Sequence, residues 1–198
     1  KVTGSATEVV ELTLQRAGGR RVDVVFRCYD DAVALRYELT AGVGLLRLAG
    51  ENTSFALAGD PAAYLQYLEH DHTSHEHLVT TTSYSAIERQ RLIDLPATFS
   101  FADGTVACIT EAALRHYAGM SLWRAEGSAD LTAKLSPRAD GACVVRELPL
   151  QTPWRVVLVG DRPGVLIESN TLYCLNDPPE AQDLDWIRPG KMTWPWWN

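Results

Sequence analysis

The sequence contains no C-x-x-C pair among its four cysteines, no basic run and no internal repeat. It also lacks any apolar stretch of about 18 residues, the length a membrane-spanning helix needs. Each absence removes a class of protein. Without paired C-x-x-C motifs, a zinc ribbon or a thioredoxin-type redox site is excluded. Cys28 and Cys108 sit in alternating runs and read as buried free thiols, while an even cysteine count permits disulfides without showing them. Lysine and arginine number 18 against 25 acidic residues, giving a formal net charge of -7. No basic stripe is left to neutralise phosphates, so nucleic acid is not a partner. Helix signals are also scarce. Ala62 to Leu68 is expected to form a turn or two. Arg162 to Glu168 is expected to form another, with Pro163 in the first turn, where a missing N–H costs least. The chain opens on Lys1 without a signal-peptide pattern and closes on Asn198, so the expectation is a piece of a longer protein.

What the sequence does contain is strand. Val10, Leu12 and Leu14 alternate with polar residues, as do Val22, Val24, Phe26 and Cys28, and then Val33, Leu35, Tyr37 and Leu39. Period-two spacing puts each set on one face of a strand, and Asp30-Asp31 between the last two reads as a hairpin turn. Phe99 and Phe101 precede Asp103-Gly104, and Val106 and Cys108 follow. That pattern predicts a second hairpin with a type I′ turn. Further strands are expected around Tyr117 to Leu122, Leu131 to Leu135, Val144 to Leu148, Arg155 to Val159 and Thr171 to Leu175. Many short strands separated by turns predict an all-β antiparallel sandwich with few short helices.

Three segments carry candidate chemistry. Glu69-His70-Asp71-His72-Thr73-Ser74-His75-Glu76-His77 holds four of the five histidines. In an extended chain His75 and His77 point to one side, as do His70 and His72, which permits a zinc site. A solvated polar loop is the plainer reading. A hard cation such as calcium would instead use the oxygens of Glu76, Glu69 or Asp71. In the second segment, Glu111 ends the Asp-Gly hairpin and reads as a carboxylate held by backbone N–H groups or an arginine. Arg155, at a strand start, is expected to pair locally, and His116 is read as structural. The third segment, residues 183–198, holds Trp186, Trp194, Trp196 and Trp197. Indole faces stack on the apolar C–H face of a pyranose, so this segment can line a sugar site. Core or interface aromatics are the bland alternative.

Taken in order, these segments resemble the amino-terminal domain of glycoside hydrolase family 97, the bacterial α-glucosidases and α-galactosidases. The likeness rests on Phe26 with Arg36-Tyr37-Glu38, then Ser74-His75-Glu76-His77, then Thr110-Glu111-Ala112 with Tyr117-Ala118-Gly119-Met120. It continues through Thr152-Pro153-Trp154-Arg155, Glu168-Ser169-Asn170 and Trp186-Ile187-Arg188-Pro189-Gly190-Lys191, and closes on Trp194-Pro195-Trp196-Trp197-Asn198. The family more often has an acidic residue where this chain has Pro195. The resemblance implies a β-super-sandwich similar to galactose mutarotase over residues 1–182. Residues 183–198 are then a linker and the start of a (β/α)8 barrel, which holds the catalytic acid and base. It further implies calcium as cofactor with Glu76 as one ligand (Glu69 being the other match), and Trp196, Trp197 and Asn198 beside an oligosaccharide substrate. A periplasmic or secreted location follows from the same resemblance. Two readings from other classes stand beside it: a carbohydrate-binding sandwich using Trp194, Trp196 and Trp197 as a platform, and a histidine-rich metalloprotein.

Overall fold

The computed structural model describes residues 8–15, 21–178 and 184–193. Its strands are, in chain order, β1 (Glu8–Gln15), β2 (Arg21–Tyr29), β3 (Ala32–Leu39), β4 (Leu45–Leu48), β5 (Ser54–Phe55), β6 (Ala62–Leu68), β7 (Val79–Ser83) and β8 (Leu92–Ile93). They continue with β9 (Ala97–Ser100), β10 (Val106–Ala112), β11 (Met120–Trp123), β12 (Leu131–Leu135), β13 (Val144–Glu147), β14 (Leu150–Gln151) and β15 (Trp154–Gly160), and two short helices follow, α1 (Pro163–Glu168) and α2 (Thr171–Leu175). Thirteen of these strands form one sheet, with the path β1-β2-β3-β15-β10-β9-β6-β8-β11-β12-β5, β14 beside β3 and β7 beside β6. The pairings along it are antiparallel. The all-β antiparallel expectation therefore holds.

The sheet turns back on itself at β6. Ala62–Tyr64 of that strand pair with β9, and Tyr67 and Leu68 pair with β8, so one strand belongs to both layers. Between the layers lies the larger core, including Leu65, Phe99, Ile109, Leu122 and Leu131, all fully buried. A second apolar cluster lies on the other face of β2, β3, β10 and β15, where Ala34, Cys108, Trp154 and Val156 pack with Leu175 of α2. Trp154 is completely buried, with the guanidiniums of Arg27 and Arg36 lying over its ring.

Several local expectations need correction. Ala62 to Leu68 is a strand and not a helical turn. Ala63, Leu65 and Tyr67 are buried toward the core while Tyr64 points outward, which is a period of two. Thr171 to Leu175 is a helix and not a strand. Thr171 and Leu175, four residues apart, are buried together, and the Thr171 hydroxyl donates to Asp31. The Asn176 side chain closes the helix end by donating to the Leu172 carbonyl and accepting from the Ala113 N–H. The Asp103-Gly104 hairpin forms, but its turn is not type I′. Only Gly104 has positive φ, and the Gly104 N–H donates to the Phe101 carbonyl, so Ala102 and Asp103 are the central residues. That is the type I turn followed by a left-handed glycine seen in slightly longer hairpins. In β3 the buried face belongs to Ala32 and Ala34, while Val33 is exposed. The small side chains there leave room for Trp154.

The contact of α1 on β15 gives a stability test. A Cβ on Gly160 would lie 2.7 Å from Val165 Cβ, a branched side chain that cannot swing away. Gly160→Ala is expected to cost about 1–3 kcal/mol by overpacking, read as a lower Tm by calorimetry. Gly164→Ala, whose Cβ would meet the movable ends of Arg162 and Glu168, is expected to cost less.

Candidate functional site

Residues 69–78 connect β6 to β7, and hydrogen bonds tie this connection down on both sides of Glu76. His75 Nδ1 lies 2.7 Å from Asp94 Oδ2. Asp94 Oδ2 also accepts from Gln66 Nε2 at 2.9 Å, and its Oδ1 accepts from the Leu95 N–H. On the other side the His77 N–H donates to Gln66 Oε1, and His77 Nε2 lies 3.2 Å from the Thr73 hydroxyl. Glu76 itself is exposed and makes no hydrogen bond or ion pair among the described residues. A carboxylate is thus presented to solvent between two anchored histidines, its oxygens free for a hard cation or a ligand.

Three of the four histidines of this connection are held through one ring nitrogen each. Ring nitrogens of His70, His75 and His77 are engaged with the His72 N–H, Asp94 and Thr73 respectively. Among the described residues no group of three or more His, Cys, Asp or Glu side chains is arranged to hold an ion. The four cysteines are free thiols. Of the tail, Trp186 is described and is 74% exposed. Trp194, Trp196, Trp197 and Asn198 lie outside the described residues.

Beside the anchored loop is a cleft of about 490 Å³, lined by Tyr64, Gln66, His75, Asp94, Pro96 and Thr98 among others. Tyr64 and Thr98 are cross-strand partners on β6 and β9, which places their side chains together on the outer face of the sheet. The misreading of residues 62–68 hid this cleft, because a helical turn would not project Tyr64 and Gln66 to one side.

The sequence reading also missed a buried charge network. Arg155 does not pair locally. Its Nε and Nη2 donate to the two oxygens of Glu51 at 2.8 and 2.7 Å, and its Nη1 donates to Glu111 Oε2 at 2.6 Å. The arginine side chain is fully buried, and those of Glu51 and Glu111 are 6% and 14% exposed. Glu111 also accepts the Met120 N–H, and Thr53 donates to Glu51. The expectation that an arginine and backbone N–H groups hold Glu111 is therefore met. Burial raises the Glu111 pKa even though Arg155 pulls it down. Burial also works against the charge on Arg155, but Glu51 and Glu111 together hold its pKa above the ordinary value. Two carboxylates against one guanidinium leave a formal charge of about -1 inside the sandwich, which fixes the inner wall behind β10 and β15. The signal was present: an arginine inside the apolar run Trp154 to Val159 must find a buried partner.

Comparison with known proteins places these features in a family. The model of the glycosyl-hydrolase 97 N-terminal domain matches residues 2–178. A retaining alpha-galactosidase of Bacteroides thetaiotaomicron is 30% identical over 203 aligned positions, covering 89% of this chain and 30% of that protein. A probable retaining alpha-galactosidase of Streptomyces bingchenggensis is 33% identical, covering 90% of this chain and 26% of that protein. The chain thus spans less than a third of the length of these curated relatives. Among solved structures, a glycoside hydrolase family 97 enzyme from Pseudoalteromonas sp. strain K8, in complex with acarbose, superposes with a TM-score of 0.82 at 28% identity, covering 92% of this chain and 27% of that one. A β-arabinopyranosidase shares the fold with a TM-score of 0.60 at 20% identity. A family match over residues 2–178, carried on the same antiparallel architecture, establishes that this chain belongs to glycoside hydrolase family 97 as its N-terminal domain.

Proposed function

We propose that this domain is the non-catalytic side wall of an α-glycosidase that hydrolyses terminal α-linked galactose or glucose, with Glu76 as a calcium ligand reaching into the shared active site. Two curated relatives are named as retaining alpha-galactosidases, and the Pseudoalteromonas enzyme has been captured with acarbose and with panose. These names support both sugars, and galactose is the first to test. The observation that carries the role of Glu76 is its presentation: exposed, without protein partners, and fixed between two tethered neighbours.

Calcium takes six to eight oxygen ligands. One free carboxylate fits a single position in such a shell, and no closed site exists among the described residues. The chemistry of the donor therefore fits a shared site, with Glu76 supplying one oxygen or two and the barrel supplying the rest. Calcium there would supply positive charge that polarises and positions oxygen groups. Glu76 holds its charge in place, and the His75–Asp94 and His77–Gln66 bonds keep the loop from rearranging when the carboxylate is engaged. By the family resemblance Trp196, Trp197 and Asn198 belong beside the substrate, where the two indoles suit a sugar ring and the amide suits its hydroxyls. The acid and nucleophile or base that cleave the glycosidic bond lie on the barrel. On the family resemblance the enzyme works in the periplasm or outside the cell.

The test uses the full-length enzyme. Hydrolysis of an aryl α-galactoside or α-glucoside is expected, abolished by a calcium chelator and restored by added calcium. An enzyme that cleaves neither substrate, or is indifferent to chelation, overturns the corresponding half of the reading.

A further inference from the structure

We infer that the cleft beside the anchored loop is the binding site for the leaving-group sugar of the substrate, the residue on the reducing side of the bond that is cut. This rests on the reading of the chain as part of an α-glycosidase and deepens it. The cleft holds about 490 Å³, within the range of about 300–1,000 Å³ usual for small-molecule sites. Its lining has the two-sided chemistry of a pyranose. Tyr64 is 41% exposed and, with Pro96, offers an apolar wall for ring C–H groups. Gln66, His75 and Thr98 carry the polar groups.

The hydrogen bonds already made decide what those groups have left to offer. A carboxylate only accepts, so the hydrogen of the His75–Asp94 bond lies on His75 Nδ1. The other ring nitrogen, Nε2, makes no bond to a described residue and is left for a hydroxyl, which can donate or accept. Asp94 already accepts from His75, Gln66 and the Leu95 N–H, so most of its acceptor capacity goes to holding the imidazole and the loop. The cleft therefore suits a neutral, hydroxyl-rich ligand over a charged one.

Position selects which sugar. His75 adjoins Glu76, so the cleft borders the point where the sandwich meets the proposed calcium site. In a (β/α)8 enzyme the site opens at the carboxyl ends of the strands. The terminal sugar is then taken up by the barrel, and the rest of the substrate leads outward along the bordering domain. A group that contacts only this outer sugar, far from the developing charge, binds ground and transition states alike. Its loss raises KM and leaves kcat nearly unmoved.

The experiment compares substrates that differ only in the leaving group. In the full-length enzyme, Tyr64→Ala is expected to raise KM for an α-linked disaccharide roughly tenfold. KM for the matching α-glycosyl fluoride, which puts no ring in the leaving-group position, should move far less. Thr98→Val, which keeps the shape and removes one hydroxyl, is expected to give the same contrast at smaller size and guards against misfolding of the first variant. If both substrates lose equally, or neither loses, the leaving-group site is overturned while the glycosidase reading stands. A wild-type enzyme that cleaves neither substrate overturns both.

Discussion

In the full-length enzyme, Glu76→Gln is expected to lower kcat by at least about 100-fold and to weaken calcium binding by no less than the 10–100-fold typical of perturbed metal sites. The amide keeps the size of the carboxylate and removes its charge and one strong oxygen donor. Calcium titration of chelator-stripped enzyme, by calorimetry and by recovered activity, measures both effects. Because Glu76 is exposed and makes no hydrogen bond or ion pair among the described residues, the unfolding free energy should stay within about 0.5 kcal/mol of wild type. Lost activity with unchanged folding is the signature of a ligand. Unchanged calcium affinity in the variant would remove Glu76 from the site, and Glu69, exposed on the same connection, would become the residue to test.

The parts of the fold that were legible are those where period-two alternation met an unambiguous turn. β2 and β3 flank Asp30-Asp31 as expected, β12 has the expected bounds, and Pro163 opens α1. The parts that misled are short segments whose residue types suit either state. Ala62, Ala63, Leu65, Gln66 and Leu68 are good helix formers set against Tyr64 and Tyr67, and pairing with β7, β8 and β9 makes the segment a strand. Thr171 to Leu175 has the β-branched and aromatic look of a strand, but its ends are tied by Asn176 and Asp31, distant in sequence or beyond its bounds. The site divides in the same way. Glu76 was picked out as a candidate because it sits in a local His-Glu-His motif that the family resemblance matches. The cleft beside it was not, because Tyr64, His75, Asp94 and Thr98 come from separate strands and connections, and their proximity is a property of the sheet order. Arg155 was misjudged for that reason too: its partners are 104 and 44 residues away.

That arginine has the largest expected effect on stability. Arg155→Met removes the only cation of the Glu51–Arg155–Glu111 network and leaves two carboxylates facing each other in the core. Breaking one side of a buried pair costs about 3–5 kcal/mol. For a chain of this size that lowers Tm by roughly 6–20 °C. The pH dependence separates charge from packing. Burial already holds the Glu111 pKa above its ordinary value of 4.5, with Arg155 opposing the rise. A folded-state pKa above the unfolded one means the folded chain binds more protons between the two values. That contribution to stability is present below the unfolded pKa and lost as pH rises through the folded one. Removing Arg155 takes away the downward pull and widens the window. The deficit of the variant should therefore be smaller near pH 5, where a carboxyl takes up a proton, than near pH 8, where both must stay charged. Thermal melts of wild type and variant across that range measure it. A deficit that does not vary with pH would mean that packing, and not the charge of Arg155, holds this part of the sandwich together.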